Sequence, residues 1–343
     1  MARRGDWETN WGKIMPISGP SSYVSTTEQF IAHWTLADAA LGAGNEIVLA
    51  GGVNLLLLSA KKVALVDKRT LLQAKLTDLE VARGDIDVRK ETLIGLFAKF
   101  VDRVRALFPD SKWSRALPTQ PGINDALGLF TDPMDSAASL WKLINDDPTV
   151  SDIVILGTTQ AQFVTQIASV KAAFGTRTTA STVANVTREE RNDLQDDIYA
   201  ILKNYRQALP THFVTGHALA DSLPSLTPEP GSTPDPVTTN GTWVPAESKA
   251  RISYTKSTAA DFAQYELRMT PGPDFSAEDD VVVASTTNIN TLEFLTNAGL
   301  TSSGVTASFK VFVKTTTGHE KGSNTVVITR PTIVPPPPPP GPP

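Results

Sequence analysis

The chain has 343 residues, no cysteine, 31 basic against 36 acidic side chains and a net charge of -5. Without cysteine there is no disulfide, thiolate metal site or thiol nucleophile, and a nearly balanced charge argues against a general nucleic-acid binder. A hydrophobic content of 41% suits a folded soluble protein, and the length suits two or three domains.

The opening MARRGDWETNWGK lacks an apolar stretch, so no standard signal peptide is expected. The most apolar run, Ile47 to Leu58, is about 12 residues, too short for a membrane span, which needs about 20. No membrane span is therefore predicted. Thr26 and Gln29 are spaced as a capping box, with Phe30 opening the apolar face of a helix. A long helix is predicted from about Val53 to Phe108. Along it Leu58, Leu65, Leu72, Leu79, Ile86, Leu93, Phe100 and Leu107 recur every seventh residue, which keeps one seam toward a partner. The second seam position is mixed: Lys62, Arg69, Leu76, Arg83, Lys90, Phe97 and Val104. This suits an intramolecular bundle better than a two-stranded zipper. Gly84 is a place for a bend or break, since glycine costs about 1 kcal/mol inside a helix.

Further on, Asp132-Pro133 reads as N-cap and first residue of a helix ending near Asn145. Thr159 with Gln162, and Thr187 with Glu190, are spaced as two more capping boxes. A weak internal repeat accompanies them. Thr26, Gln29 and Phe30 return as Thr159, Gln162 and Phe163. Leu93, Phe97, Phe100, Val101, Val104, Phe108 and Pro109 return as Leu194, Ile198, Ile201, Leu202, Tyr205, Leu209 and Pro210. The repeat reads as two related helical hairpins, the alternative being coincidence between two amphipathic helices; two units fall short of the three of a solenoid.

Of 25 prolines, six lie in Pro224–Pro245 and nine in Pro331–Pro343. The first stretch has linker composition. The second, PPPPPPGPP, favours polyproline II, as a stiff spacer or a ligand for proline-binding grooves. Between them the hydrophobic period becomes two. Five runs read as strands: Ala250–Thr255, Gln264–Met269, Thr291–Thr296, Ser308–Thr315 and Asn324–Thr329. Several short strands in about 85 residues suggest an antiparallel sandwich.

This stretch resembles a fibronectin type III domain. Ile252-Ser253-Tyr254 is similar to the family's early core strand, with Tyr254 where tryptophan is usual. Tyr265-Glu266-Leu267-Arg268 is similar to the next core strand, and Phe309-Lys310-Val311-Phe312-Val313 to the late one, with Phe309 where tyrosine is usual. Gly318 through Thr329 is similar to the final hairpin and edge strand. The tyrosine-to-phenylalanine change implies loss of the corner hydroxyl bond. The expected organisation is multidomain α plus β. It has a helical hairpin region at 1–118, a second helical region at 119–224 and a Pro/Thr-rich linker at 225–245. A fibronectin type III-like sandwich at 246–332 and a polyproline tail at 333–343 complete it. The two helical regions together form a bundle of two long hairpins.

Chemical motifs are sparse. Of the four histidines, His33, His212, His217 and His319, the pair His212 and His217 lies five apart without an acidic third ligand at a familiar spacing. Asp146-Asp147, Asp196-Asp197 and Asp279-Asp280 are acidic pairs that could attract cations but usually lie on solvated surface. Arg-Gly-Asp occurs at Arg4–Asp6 and at Arg83–Asp85, the second inside a helical pattern. Asn185-Val186-Thr187 and Asn240-Gly241-Thr242 are glycosylation sequons. No phosphate loop, HExxH, EF-hand or nucleophile elbow is present. The expectation is a non-enzymatic structural protein without cofactor or metal, self-assembling into a filament, tube or surface layer. Its sandwich would project or cross-link. The expected setting is extracellular or the cell surface, and the expected partner is a second copy of the chain. The alternative is an adhesion or binding module recognising carbohydrate or protein through the sandwich loops, with ligand-binding residues unassigned.

Overall fold

The computed structural model describes residues 16–331. The polyproline tail and Arg4–Asp6 lie outside them. Among the described residues six α-helices precede eight strands: α1 (Tyr23–Leu41), α2 (Leu55–Leu107), α3 (Lys112–Arg115), α4 (Leu127–Asn145), α5 (Gln160–His212) and α6 (Ala218–Asp221), then β1 (Thr239–Val244), β2 (Lys249–Tyr254), β3 (Phe262–Pro271), β4 (Val281–Thr286), β5 (Glu293–Thr296), β6 (Thr306–Thr315), β7 (Glu320–Gly322) and β8 (Val326–Thr329). No helix among the described residues is long and apolar enough to cross a membrane. The chain forms two compact units. One gathers the described residues of 1–77 and 184–343; the other is Asp78–Val183. The units therefore cross the sequential regions 1–118 and 119–224, because α2 and α5 each contribute to both.

In the first unit, a 3-10 turn at Pro20–Ser22 leads into α1. The Ser22 hydroxyl accepts from the backbone N–H groups of Ser18 (2.9 Å) and Gly19 (3.2 Å). The helix thus starts ahead of Thr26, whose buried side chain lies inside it. It stops at Gly42, where φ is 81° and the N–H returns to Asp38 O, a conformation that costs glycine least. Asn54 caps α2 by accepting from Leu57 N at 3.0 Å. Phe30 and Trp34 of α1, Leu58 and Leu65 of α2, and Ile198, Leu202, Tyr205 and Leu209 of α5 share one core. Trp34 stacks on Tyr205 with centroids 4.4 Å apart. Lys61–Asp197 (2.6 Å) and Lys68–Glu190 (2.9 Å) tie α2 to α5 along the rim.

The second unit is built on Leu93, Phe97, Phe100 and Val104 of α2, Phe130, Met134 and Trp141 of α4, and Phe163 and Ile167 of α5. Phe100 stacks on Trp141 at 4.9 Å, and the Trp141 indole N–H donates to Ile153 O at 2.9 Å. Thr159 and Gln162 form the capping box as expected: Gln162 Oε1 accepts from Thr159 N (2.8 Å) and Thr159 Oγ1 accepts from Gln162 N (3.3 Å).

Three local expectations are corrected. Helix α4 starts at Leu127, so Pro133 sits inside it. Buried Phe130 and Met134 lie on the same face as Ala137 and Trp141, and their packing outweighs the hydrogen bond proline removes. Thr187 and Glu190 start no helix, because α5 runs on through buried Ala184, Thr187 and Arg191. Gly84 does not interrupt α2. The heptad seam is buried from Leu58 to Phe100, but Leu107 is 43% exposed where the helix ends.

The sandwich closes the first unit. Its sheets run β1-β2-β5 and β4-β3-β6-β7, with β8 also pairing β6. The pairings between these strands are all antiparallel. This is a fibronectin type III-like arrangement. All five expected strands are present, and three more join them. Thr239–Val244, within the stretch expected to be linker, is β1 and pairs β2 in register Thr242↔Arg251. Gly241 lets it do so: a Cβ there would lie 2.6 Å from a methyl of Val326. Tyr265, Leu267 and Met269 of β3 meet Phe309, Val311 and Val313 of β6 in the core. Tyr254 stacks on Phe294 at 5.3 Å. The hydroxyl absent at Phe309 has a counterpart at Tyr265, which accepts from Ser257 N at 2.7 Å.

Candidate interaction site where the sandwich meets the helices

Strand β3 alternates Tyr265, Leu267 and Met269 with Glu266, Arg268 and Thr270. The first set fills the core. The second faces away from it, yet all six are buried. A strand buried on both faces has a second cover, which here is the segment that leads into β4 and in turn reaches the helices of the same unit.

Arg268 organises the outer face. Its Nε and Nη2 donate to Glu266 Oε2 at 3.0 and 2.7 Å, and its Nη1 and Nη2 donate to Glu320 Oε1 and Oε2 at 3.0 and 2.6 Å. The guanidinium also lies 3.9 Å from the centre of the Phe312 ring. Burial alone would lower the Arg268 pKa, but Glu320, Glu266 and Asp280 outweigh it and hold the group above its ordinary value. Lys314 Nζ donates to Glu266 Oε1 at 3.2 Å. Burial would raise Glu266, but Lys314 and Arg268 keep it below the usual carboxylate range.

The segment leading into β4 carries the link to the helices. Arg188 of α5 grips Asp279 with Nε (2.9 and 3.1 Å) and Nη2 (2.7 Å), the bidentate fork that suits a carboxylate. Arg191 Nη1 reaches Asp279 Oδ1 at 3.5 Å and donates to Glu278 O. Gln73 of α2 donates to Asp279 O. Arg69 of α2 donates to Asp280 O at 3.1 Å and to Ser21 O at 3.2 Å. One two-residue acidic pair thus joins α2, α5 and the lead-in to α1 to the sandwich. Breaking such buried pairs is costly even though forming them yields little net stability.

Beside this network is a cleft of about 580 Å³. Val24, Val66, Val281 and Val282 form aliphatic walls, with Glu266 and Lys314 also lining it. Its size falls in the range of small-molecule sites.

The other sequence candidates are dispersed. His33 is buried in the first unit; its Nε2 donates to Leu219 O (2.9 Å), so in the neutral ring Nδ1 accepts from the Tyr205 hydroxyl (2.8 Å). Burial lowers its pKa. His217 caps α6 by accepting from Leu219 N, and His319 Nε2 donates to Glu229 O at 2.9 Å. His212 ends α5. Asp146 pairs with Lys142 at 2.6 Å, Asp147 accepts from Thr149 N at 3.0 Å, and Asp197 pairs with Lys61. Within α2, Arg83 pairs with Glu80, and Asp85 with Arg89 at 2.8 Å. Asn185, of the first sequon, lies inside α5 and accepts from Arg188 at 2.7 Å. Asn240 lies exposed on β1. No group of three His, Cys, Asp or Glu side chains able to hold a metal occurs among the described residues. In the second unit Lys90 is buried, donating to Ile123 O (2.8 Å) and Asp125 O (2.6 Å) and lying 4.9 Å from the Phe130 ring centre. Two of its donors are thus engaged by the loop that precedes α4.

Sequence reasoning singled out only the Asp279-Asp280 pair at this junction. Arg188, Arg191, Arg69 and Gln73 were missed. Their signal was polar residues placed where a helix should be apolar, as with Arg69 at the second seam position.

No protein-family model and no curated protein matches the chain. Among solved structures, the sandwich region is similar to an Fn3-like protein from Clostridium thermocellum. Identity is 16%, with 30% of this chain and 99% of that one covered and a TM-score of 0.22. It is also similar to the sixth fibronectin type III domain of human fibronectin type III domain containing protein 3. There identity is 17%, with 31% of this chain and 95% of that one covered and a TM-score of 0.25.

Proposed function

We propose that the chain is a non-enzymatic structural protein that associates with copies of itself. In it the sandwich is a fixed part of the body and not a module on a loose tether. The observation that carries this reading is the Asp279 grip by Arg188 and Arg191, which commits the sandwich to one seat on α2 and α5. A fixed seat lets one subunit transmit a defined geometry to the next, which closed or helical assemblies require. The helices also present apolar side chains that are not used internally. Leu129 and Leu143, fourteen residues apart on α4, share one face and are 69% and 57% exposed. Asp146, Asp197 and Asp279 are held in ion pairs, and His33, His217 and His319 in hydrogen bonds to the protein, which favours a structural over a catalytic role.

The test is light scattering coupled to size-exclusion chromatography of the full chain, with negative-stain microscopy of the same sample. The expected result is species larger than a monomer with regular filaments, tubes or sheets. A uniform monomer at high concentration overturns the reading. The next step would then be to present the sandwich loops to glycans and proteins.

A further inference from the structure

The outer face of the β4-β3-β6-β7 sheet holds more carboxylates than it can satisfy. Glu266, Glu320 and Asp280 share Arg268 and Lys314. Arg268 directs its hydrogen bonds to the first two carboxylates. Asp280 Oδ2 is left 3.6 Å from Arg268 Nη1, beyond a hydrogen bond, and Asp280 Oδ1 has no partner at all. The residue is 2% exposed, so bulk water does not solvate it. The helices do not supply the missing donor. Arg69 on α2 donates to the Asp280 backbone carbonyl and to Ser21 O, and on α5 Arg188 and Arg191 are turned to Asp279 and Glu278. On its own segment Asp279 adds a further negative charge. Burying a carboxylate that lacks a hydrogen bond is expensive even with a guanidinium 3.6 Å away, and the usual escape is to take up a proton.

We propose that Asp280 is a proton-operated latch: its protonated carboxyl tightens the seat of the sandwich on α2 and α5, and its ionisation loosens it. The step is the addition of one proton to one carboxylate oxygen, without any other bond changing. Burial, only partly opposed by Arg268 and Arg69, pushes the Asp280 carboxyl from 3.8 up to about 6. The sign follows from linkage. A carboxyl raised in the folded state favours folding fully below its unfolded value, and that advantage is lost as pH climbs through the folded one. The working window is therefore about pH 4 to 6. The inference is independent of self-assembly: it concerns one subunit.

The experiment compares the full wild-type chain with Asp280→Asn, which keeps the shape and removes the charge. Urea unfolding is followed from pH 5.0 to 7.5. Other titrating groups, among them His33 and Asp38, are common to both chains and cancel in the ratio. The folding constant of Asp280→Asn relative to wild type is expected to rise roughly tenfold across that range. Carbon-13 NMR of the wild-type Asp280 carboxyl, expected to titrate with a midpoint near 6, keeps the test decisive if the variant does not fold. Amide exchange across Val281–Thr286, corrected for intrinsic rates, should quicken from pH 5.0 to 7.5 in wild type and not in the variant. Parallel stability profiles, or an Asp280 midpoint below 4.5, overturn the proposal.

Discussion

The two faces of strand β3 bury their residues by opposite means. Tyr265, Leu267 and Met269 enter an apolar core with Phe309, Val311 and Val313. Glu266 and Arg268, one residue out of phase, enter an ion network closed by Glu320, Lys314 and the β4 lead-in. The apolar face holds because hydrophobic burial is non-directional and grows with area. The charged face holds only while each group keeps its partner. The lesson is that the first face stabilises the sandwich and the second chooses where it sits.

The largest effect should come from the apolar face. Phe309→Ala is expected to cost about 3–5 kcal/mol, read as a lower urea midpoint for the first unit. If the loss is below about 1 kcal/mol, the inner face is not the source of stability. The charged face should respond differently. Asp279→Ala leaves Arg191 buried without its carboxylate and frees Arg188. A loss of about 2–3 kcal/mol is expected, with amide protection falling in β4 before the β3–β6 pairing. Equal loss of protection in both places would erase the distinction between the faces.

A subtler contrast lies in the helical cores. The second unit stacks Phe100 on Trp141, whereas the first stacks Trp34 on Tyr205 and adds His33 beneath the hydroxyl. Burial lowers the His33 pKa, so its neutral form belongs to the folded state. The resulting stability is present above the unfolded value of about 6.5 and is lost as pH falls below it. Proton NMR of the His33 ring should show a midpoint below 6.5; a midpoint at or above it refutes the assignment. The smallest effect is local. Thr159→Ala should cost about 1 kcal/mol through the loss of the α5 cap, seen as faster amide exchange at Ala161 to Phe163. Thr26→Ala should leave no such signature at the start of α1, since Thr26 lies within that helix.

How much was legible from sequence differs between the regions for a physical reason. The α2 seam from Leu58 to Phe100 was readable because its period of seven reflects one persistent contact. The Thr159–Gln162 box was readable because its partners are three residues apart. Thr187 and Glu190 have the same spacing and start nothing, since packing of Ala184 and Arg191 carries the helix through them. Strand β1 was hidden in a stretch of linker composition because its Gly241 is needed for close contact with β8 and not for a turn. Strand β4, VVVAST, lacks the alternation that marked the others. At the junction, Asp279 and Asp280 stood out as a pair, but their partners lie 87 to 211 positions away.

Periodicity and short-range spacing, which act within a few residues, by themselves determined that this chain has long helices followed by a strand-rich sandwich. Only the tertiary structure decided that α2 and α5 meet each other in both units, and that an ordinary-looking acidic pair fastens the sandwich to their base. Those outcomes depend on which charges lose their water together, and that is settled by the folded chain as a whole.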